Sequence, residues 1–177
     1  MATFGLDSGV DTVGDVSGYL SGGRHENTAG SGTLTQLELL CDDVSPTGTA
    51  RLGIYADSAG SPGALLLDAG EVALGSGWIS ISGLSLEVTA GTYYWLAYKQ
   101  SAANGTRRDT GGPADSNVWL SAGYGALPDP FGTPAGSDAN RYVMRATVTA
   151  AGASITYPML ERSARGIERG ILIGEVR

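Results

Sequence analysis

Leu34-Thr-Gln-Leu-Glu-Leu-Leu-Cys41 and Thr49-Ala-Arg-Leu-Gly-Ile-Tyr-Ala56 are the two runs on which the fold turns. In the first, Leu37, Leu39 and Cys41 share one face while Gln36 and Glu38 take the other. In the second, Ala50, Leu52, Ile54 and Ala56 alternate with Thr49, Arg51, Gly53 and Tyr55. Successive side chains of a strand point to opposite faces, so a period of two marks a half-buried β-strand. Asp42-Asp-Val-Ser-Pro-Thr-Gly48 lies between the runs, and Asp57-Ser-Ala-Gly-Ser-Pro-Gly63 follows the second. Both carry the Pro and Gly punctuation of turns.

The same pattern extends along the chain. Ala64-Leu-Leu-Leu67 and Glu71-Val-Ala-Leu74 read as two short strands, or as one bent strand broken at Gly70. Gly77-Trp-Ile-Ser-Ile-Ser82 and Leu84-Ser-Leu-Glu-Val88 follow. Thr92-Tyr-Tyr-Trp-Leu-Ala-Tyr98 is apolar on both faces, which predicts a central strand rich in β-formers. Gln100 to Ala139 is mostly loop, interrupted by the strand Asn117-Val-Trp-Leu-Ser121. Asn140 to Thr149 closes the domain, with Tyr142, Met144, Ala146 and Val148 inward. Roughly seven to nine short strands between turn signals predict an all-β antiparallel sandwich of the jelly-roll kind, with an immunoglobulin-like sandwich as alternative.

The sandwich is expected over 1–152. From 153 to 177 the character changes to a C-terminal arm or short helix. Leu160, Ala164, Ile167 and Ile171 fall at helical spacing behind Pro158, whereas Ile171-Leu-Ile-Gly-Glu-Val176 reads as a strand. Exposed apolar clusters mark interfaces. Leu160, Ile167, Ile171, Leu172, Ile173 and Val176, with Arg165 and Arg169, are therefore the expected subunit interface.

Composition sets the limits. Glycine supplies 28 of 177 residues, about 16% against a usual ~7%, and each interior glycine costs a helix about 1 kcal/mol. A helical bundle is excluded on that ground. The net charge is −7, and Lys99 is the single lysine among 11 basic residues. An acidic chain without a basic patch is repelled by phosphate backbones, so nucleic acid is not an expected partner. No run approaches the roughly 18 apolar residues of a membrane span, and no membrane association is expected. Met1-Ala-Thr-Phe-Gly-Leu-Asp7 has neither a basic nor an apolar leader region and is not read as a secretory signal.

Chemistry-bearing residues are sparse. His25 is the single histidine, within Gly22-Gly-Arg-His-Glu-Asn27, which reads as a polar, solvated loop. Cys41 ends an apolar face and is expected to be a small buried hydrophobe. No nucleophile elbow, zinc-protease motif or phosphate loop is present. No enzymatic activity, metal or cofactor is expected. Asp42, Asp43, Asp57 and Asp109 have the oxygen ligands calcium prefers, but such residues also serve turns. Trp78 and Trp95 are expected in the core. Trp119 and Tyr124, in the loop-rich stretch, are the candidate ligand-binding aromatics.

Two segments carry a family likeness: Leu52-Gly-Ile-Tyr-Ala-Asp-Ser-Ala-Gly-Ser-Pro-Gly-Ala-Leu-Leu66 and Leu86-Glu-Val-Thr-Ala-Gly-Thr-Tyr-Tyr-Trp-Leu-Ala97, with Gly77-Trp78 between them. They resemble jelly-roll modules of bacterial extracellular and phage virion proteins over roughly Thr33 to Lys99. The resemblance implies a fold used on extracellular, carbohydrate-binding and virion surfaces. It transfers no binding residue, because the matching positions are turns and core. The function expected is a non-enzymatic structural protein of a phage or virus particle, a capsid decoration or tail-associated protein. Made in the host cytoplasm, it would assemble through its C-terminal segment with itself or with other virion proteins. The alternative is a carbohydrate-binding module of a secreted or cell-surface protein, with a surface glycan as partner.

Overall fold

The computed structural model describes residues 1–13 and 17–151. Among them run thirteen strands and no helix. The strands are β1 (Ala2–Gly5), β2 (Asp11–Val13), β3 (Tyr19–Glu26), β4 (Gly32–Cys41), β5 (Thr49–Ser58), β6 (Ser61–Ala73) and β7 (Gly77–Val88). They continue as β8 (Tyr93–Gln100), β9 (Thr106–Thr110), β10 (Asn117–Ser121), β11 (Gly136–Asp138), β12 (Asn140–Tyr142) and β13 (Met144–Ala150). One sheet has the order β1-β13-β4-β9-β12, with β7 also paired to β4 and β2 to β9. The other has the order β11-β10-β3-β8-β5-β6. All pairings are antiparallel, and the sheets pack face to face as a β-sandwich.

The period-two runs supply the inner core. Leu37, Leu39 and Cys41 of β4 meet Ala50, Leu52 and Ile54 of β5, Tyr94, Leu96 and Tyr98 of β8, and Met144, Ala146 and Val148 of β13. Leu34 also points inward although it is three residues from Leu37, because the β4–β7 register shifts between Leu34 and Gln36. An extra residue in one strand reverses the face of everything beyond it.

Strand β8 is central, between β3 and β5. Its second face carries Trp95 and Ala97 into a separate core with Leu20, Tyr55, Val118, Leu127 and Phe131. Residues 122–135 build this core by folding as a flap over the outside of the sheet. Phe131 meets Tyr55 edge-on at 5.0 Å. The Tyr55 hydroxyl donates to Pro128 O at 2.9 Å, and Leu65 N donates to the Asp129 carboxylate at 2.9 Å.

Several expectations are corrected. Gln100 to Ala139 holds β9, β10, β11 and the flap rather than loop around one strand. Strand β9, Thr106-Arg-Arg-Asp-Thr110, lies between β4 and β12 and also pairs with β2, yet only Thr106 is fully buried, so its polar run shows no strand pattern. Of the two readings of residues 64–74, the single bent strand is the one found: they belong to one long strand, β6 (with Leu74 just beyond it), bent by register shifts and by Gly70 at φ 94°. The closing strand is two, because Val143 leaves the β13 ladder: its N–H donates to Arg107 O and its carbonyl accepts from Leu40 N. Tyr55, placed on a polar face by alternation, is buried beneath the flap. Trp78 is half-buried outside the inner core, with the Arg145 guanidinium 4.1 Å above its ring. The segment 153–177, with its proposed interface residues Leu160, Arg165, Arg169 and Ile167 to Val176, lies outside the described residues.

Trp95 is 0% exposed. Replacing it with alanine is expected to cost about 3–5 kcal/mol in urea unfolding. Leu86→Ala, at a residue only half-buried against the core, is expected to cost under about 2 kcal/mol. Equal losses at the two sites would contradict this partition of the core.

Candidate functional site

The site grows from the end of β3. In Tyr19-Leu-Ser-Gly-Gly-Arg-His-Glu26, the pairing Arg24↔Trp95 places Arg24 on the outer face, and His25↔Tyr94 places His25 on the inner one. His25 is therefore not in a solvated loop: it is a strand residue 4% exposed. Gly23 makes room for it, since a Cβ there would lie 3.0 Å from His25 Nε2.

On the outer face, Arg24 grips Asp57 with two hydrogen bonds, Nε to Oδ1 at 2.6 Å and Nη2 to Oδ2 at 3.1 Å. Trp95 Nε1 donates to the same Oδ1 at 2.9 Å, and Gly60 N to Oδ2 at 3.2 Å. The Arg24 hydrogen bond, helped by those from Gly60 and Trp95, holds the Asp57 carboxyl below its usual range. The Arg24 guanidinium also stacks 3.9 Å over the Tyr93 ring. Tyr93 stays 38% exposed, and its hydroxyl donates to Glu26 at 3.3 Å.

Beyond Arg24 the strand faces the turn 113–116, tied to it by the hydrogen bond from Arg24 N to Ser116 O at 2.8 Å. Between the turn, the end of β3 and the opposite sheet lies a cavity of about 610 Å³, inside the ~300–1,000 Å³ range of ligand pockets. Its walls include Arg24, His25, Tyr93, Ser116 and Arg141. Gly5, at φ 113°, comes from β1 and lies so close to β13 that a Cβ would sit 2.2 Å from Met144 O.

Three residues of this wall each hold a buried polar atom with no hydrogen-bond partner among the described residues: His25 Nε2, Ser116 Oγ and Arg141 Nε. The last two approach each other across Gly112, whose missing Cβ would lie 2.7 Å from Ser116 Oγ and 2.8 Å from Arg141 Nε. Burial, with the nearby Arg141 charge adding to it, lowers the His25 pKa to about 3. The imidazole is thus neutral at ordinary pH and able to donate or accept one hydrogen bond at each nitrogen.

The residues singled out from sequence lie elsewhere. Trp119, on β10, is half-buried against Gly136, whose Cβ would sit 2.3 Å from its ring. Tyr124 is half-buried in the flap, its hydroxyl 2.7 Å from Thr49 Oγ1. Neither lines the cavity. The calcium candidates have other partners: Asp57 pairs with Arg24, Asp42 with Arg107 at 2.8 Å, and Asp109 with Arg141 at 3.3 Å, while Asp43 accepts from Ser45 N at 3.2 Å. No cluster of three metal-ligating side chains occurs among the described residues. Cys41 is buried, its thiol donates to Gly105 O at 3.4 Å, and burial pushes its pKa up.

The buried histidine has a consequence for stability. His25 binds its proton below about 3 when folded but near 6.5 when unfolded. The unfolded chain therefore holds more protons between those values. Stability rises with pH through that window and is lost on acidification. Chemical denaturation from pH 7 to pH 4.5 is expected to show a loss approaching roughly 1.4 kcal/mol per unit below pH 6, which His25→Gln removes. An unchanged slope in that variant would mean another group titrates.

No family model matches the chain and no curated protein matches it.

Proposed function

We propose that the sandwich is a non-enzymatic recognition module that holds a carbohydrate in the cleft at the end of β3. The observation that carries this is that three residues on the wall of one cavity, His25, Ser116 and Arg141, each keep a buried polar atom (Nε2, Oγ and Nε) without a hydrogen-bond partner among the described residues. Leaving a buried polar group unsatisfied costs about 1–3 kcal/mol, and a polyhydroxyl ligand offers donors and acceptors to side chains that turn toward it from this wall. Tyr93 adds a ring held in place by Arg24. Catalysis is not part of the proposal, since the thiol of Cys41 is inert and His25 has no carboxylate orienting its Nε2 among the described residues.

The sandwich is further proposed to be a jelly roll. What supports this is the pairing order β1-β13-β4-β7 in one sheet against β3-β8-β5-β6 in the other, with the chain repeatedly crossing between sheets. The remaining strands are additions to these eight.

A second reading concerns the setting: a structural protein of a phage or virus particle, capsid decoration or tail-associated, which assembles through residues 153–177. The run Ile171-Leu-Ile173 with Ile167 and Val176, among Arg165 and Arg169, favours it. Particle assembly and sugar recognition are compatible in one chain.

On a glycan array the protein is expected to retain a discrete set of sugars. Tyr93→Ala should weaken binding several-fold, the ~1 kcal/mol of a stacked ring, and Ser116→Ala by a similar amount. An array without signal overturns the carbohydrate proposal. Truncation after Gly152 is expected to leave a folded monomer by light scattering where the full chain is oligomeric; unchanged mass on truncation refutes assembly through the segment.

A further inference from the structure

A second hollow, of about 350 Å³, adjoins the first and is lined by Ser61, Val118, Pro134 and Ser137, with Gly60 and Asp115 as walls common to both. We infer that the two hollows are one groove that takes a linear, uncharged oligosaccharide, its chain crossing the Gly60–Asp115 junction; this rests on the carbohydrate reading above.

The junction is open. Gly60 sits at the tip of the β5–β6 hairpin, where Ala59 at φ 51° and Gly60 at φ 87° form the tight two-residue turn that suits twisted strands. A Cβ on Gly60 would meet nothing within 4 Å, so a ligand can lie against bare backbone. Asp115 is held at φ 57°, a conformation non-glycine residues rarely adopt, with its carboxylate accepting from Ser137 Oγ at 2.6 Å. That hydrogen bond joins a wall of the first hollow to a wall of the second. Strained backbone at a binding wall persists where the surrounding structure fixes it.

The charges on the groove select against an ionic ligand. Arg24 and Arg141 are balanced by Glu26 and Asp115, all four on the lining. Each arginine already has its own acid, Arg24 with Asp57 and Arg141 with Asp109. A uronic or sialic acid would therefore approach two carboxylates without an uncompensated cation to receive it. Hydroxyl groups meet no such penalty: the lining side chains of Ser116, His25 and Arg141 carry both donors and acceptors. The inner hollow then holds the sugar that these side chains orient and Tyr93 covers, and the outer hollow holds the residues that follow it.

Titration calorimetry with the full chain tests this. The ligands are neutral gluco-, manno-, galacto- and N-acetylglucosamine oligosaccharides from one to six units, with oligogalacturonates alongside. The expected result is a neutral hexasaccharide binding at least tenfold tighter than its disaccharide, with affinity unchanged between 0.05 and 0.5 M NaCl. Ser61→Trp, which fills the outer hollow, is expected to erase the gain with length while leaving disaccharide binding intact. Tighter, salt-sensitive binding of oligogalacturonates would overturn the uncharged ligand and leave the carbohydrate reading standing. Affinity independent of length, or a length gain that survives Ser61→Trp, would overturn the continuous groove. Absence of binding by every saccharide would refute the carbohydrate reading itself.

Discussion

Tyr94, Leu96 and Tyr98 project from one face of β8, and Trp95 and Ala97 from the other, all of them out of water. A strand apolar on both sides needs a cover on both sides, and the second sheet of a sandwich supplies only one. The flap 122–135 supplies the other. Burying a tryptophan of ~150–250 Å² at ~25 cal/mol per Å² contributes roughly 4–6 kcal/mol, enough to repay ordering part of an otherwise irregular segment. Backbone bonds then fix the flap in place, as from Phe131 N to Gly63 O at 3.0 Å and from Ala135 N to Trp119 O at 2.7 Å.

The same tryptophan marks where apolar packing gives way to polar chemistry. Its indole nitrogen reaches Asp57, which also receives Arg24 and Gly60. Because β10 begins only at Asn117, the last residues of β3 face a turn instead of a strand. The cleft opens beside that turn, between the end of β3 and residues of the opposite sheet such as Gly5 and Arg141. Its walls come from six separate stretches of chain, Gly5, Arg24 to Thr28, Gly60, Tyr93, Pro113 to Ser116, and Arg141.

That dispersal explains what the sequence conveys and what it does not. Leu37, Leu39, Leu52 and Ile54 announce their burial because a period of two needs only neighbours along the chain. Residues Thr92 to Tyr98 announce a central strand because both faces are apolar. Strand β3 is invisible by the same test: Gly22-Gly23 mimics a turn, and the space those glycines leave is occupied by Phe131 and His25, far along the chain and two residues on. His25 among Gly, Arg and Glu therefore reads as solvated. Asp57 looks like a turn residue, and its partner Arg24 is 33 positions away. Trp119 and Tyr124 stand out as aromatics in loop, yet packing against Gly136 and the bond to Thr49 absorb them. Arg141 and Ser116 belong to the cleft only through sheet pairing, which no local pattern encodes.

Lys99 is the one lysine in 177 residues. It is 3% exposed, and its ammonium donates to Ala126 O, within the flap, at 3.3 Å. Every other basic side chain except His25 is a guanidinium. The folded surface thus offers acylating reagents no side-chain amine until the flap lifts. A protein with a single, concealed lysine thus carries its own reporter group: acetylation of Lys99 is slowed by its burial under the flap, and its rate reads how well the flap stays in place.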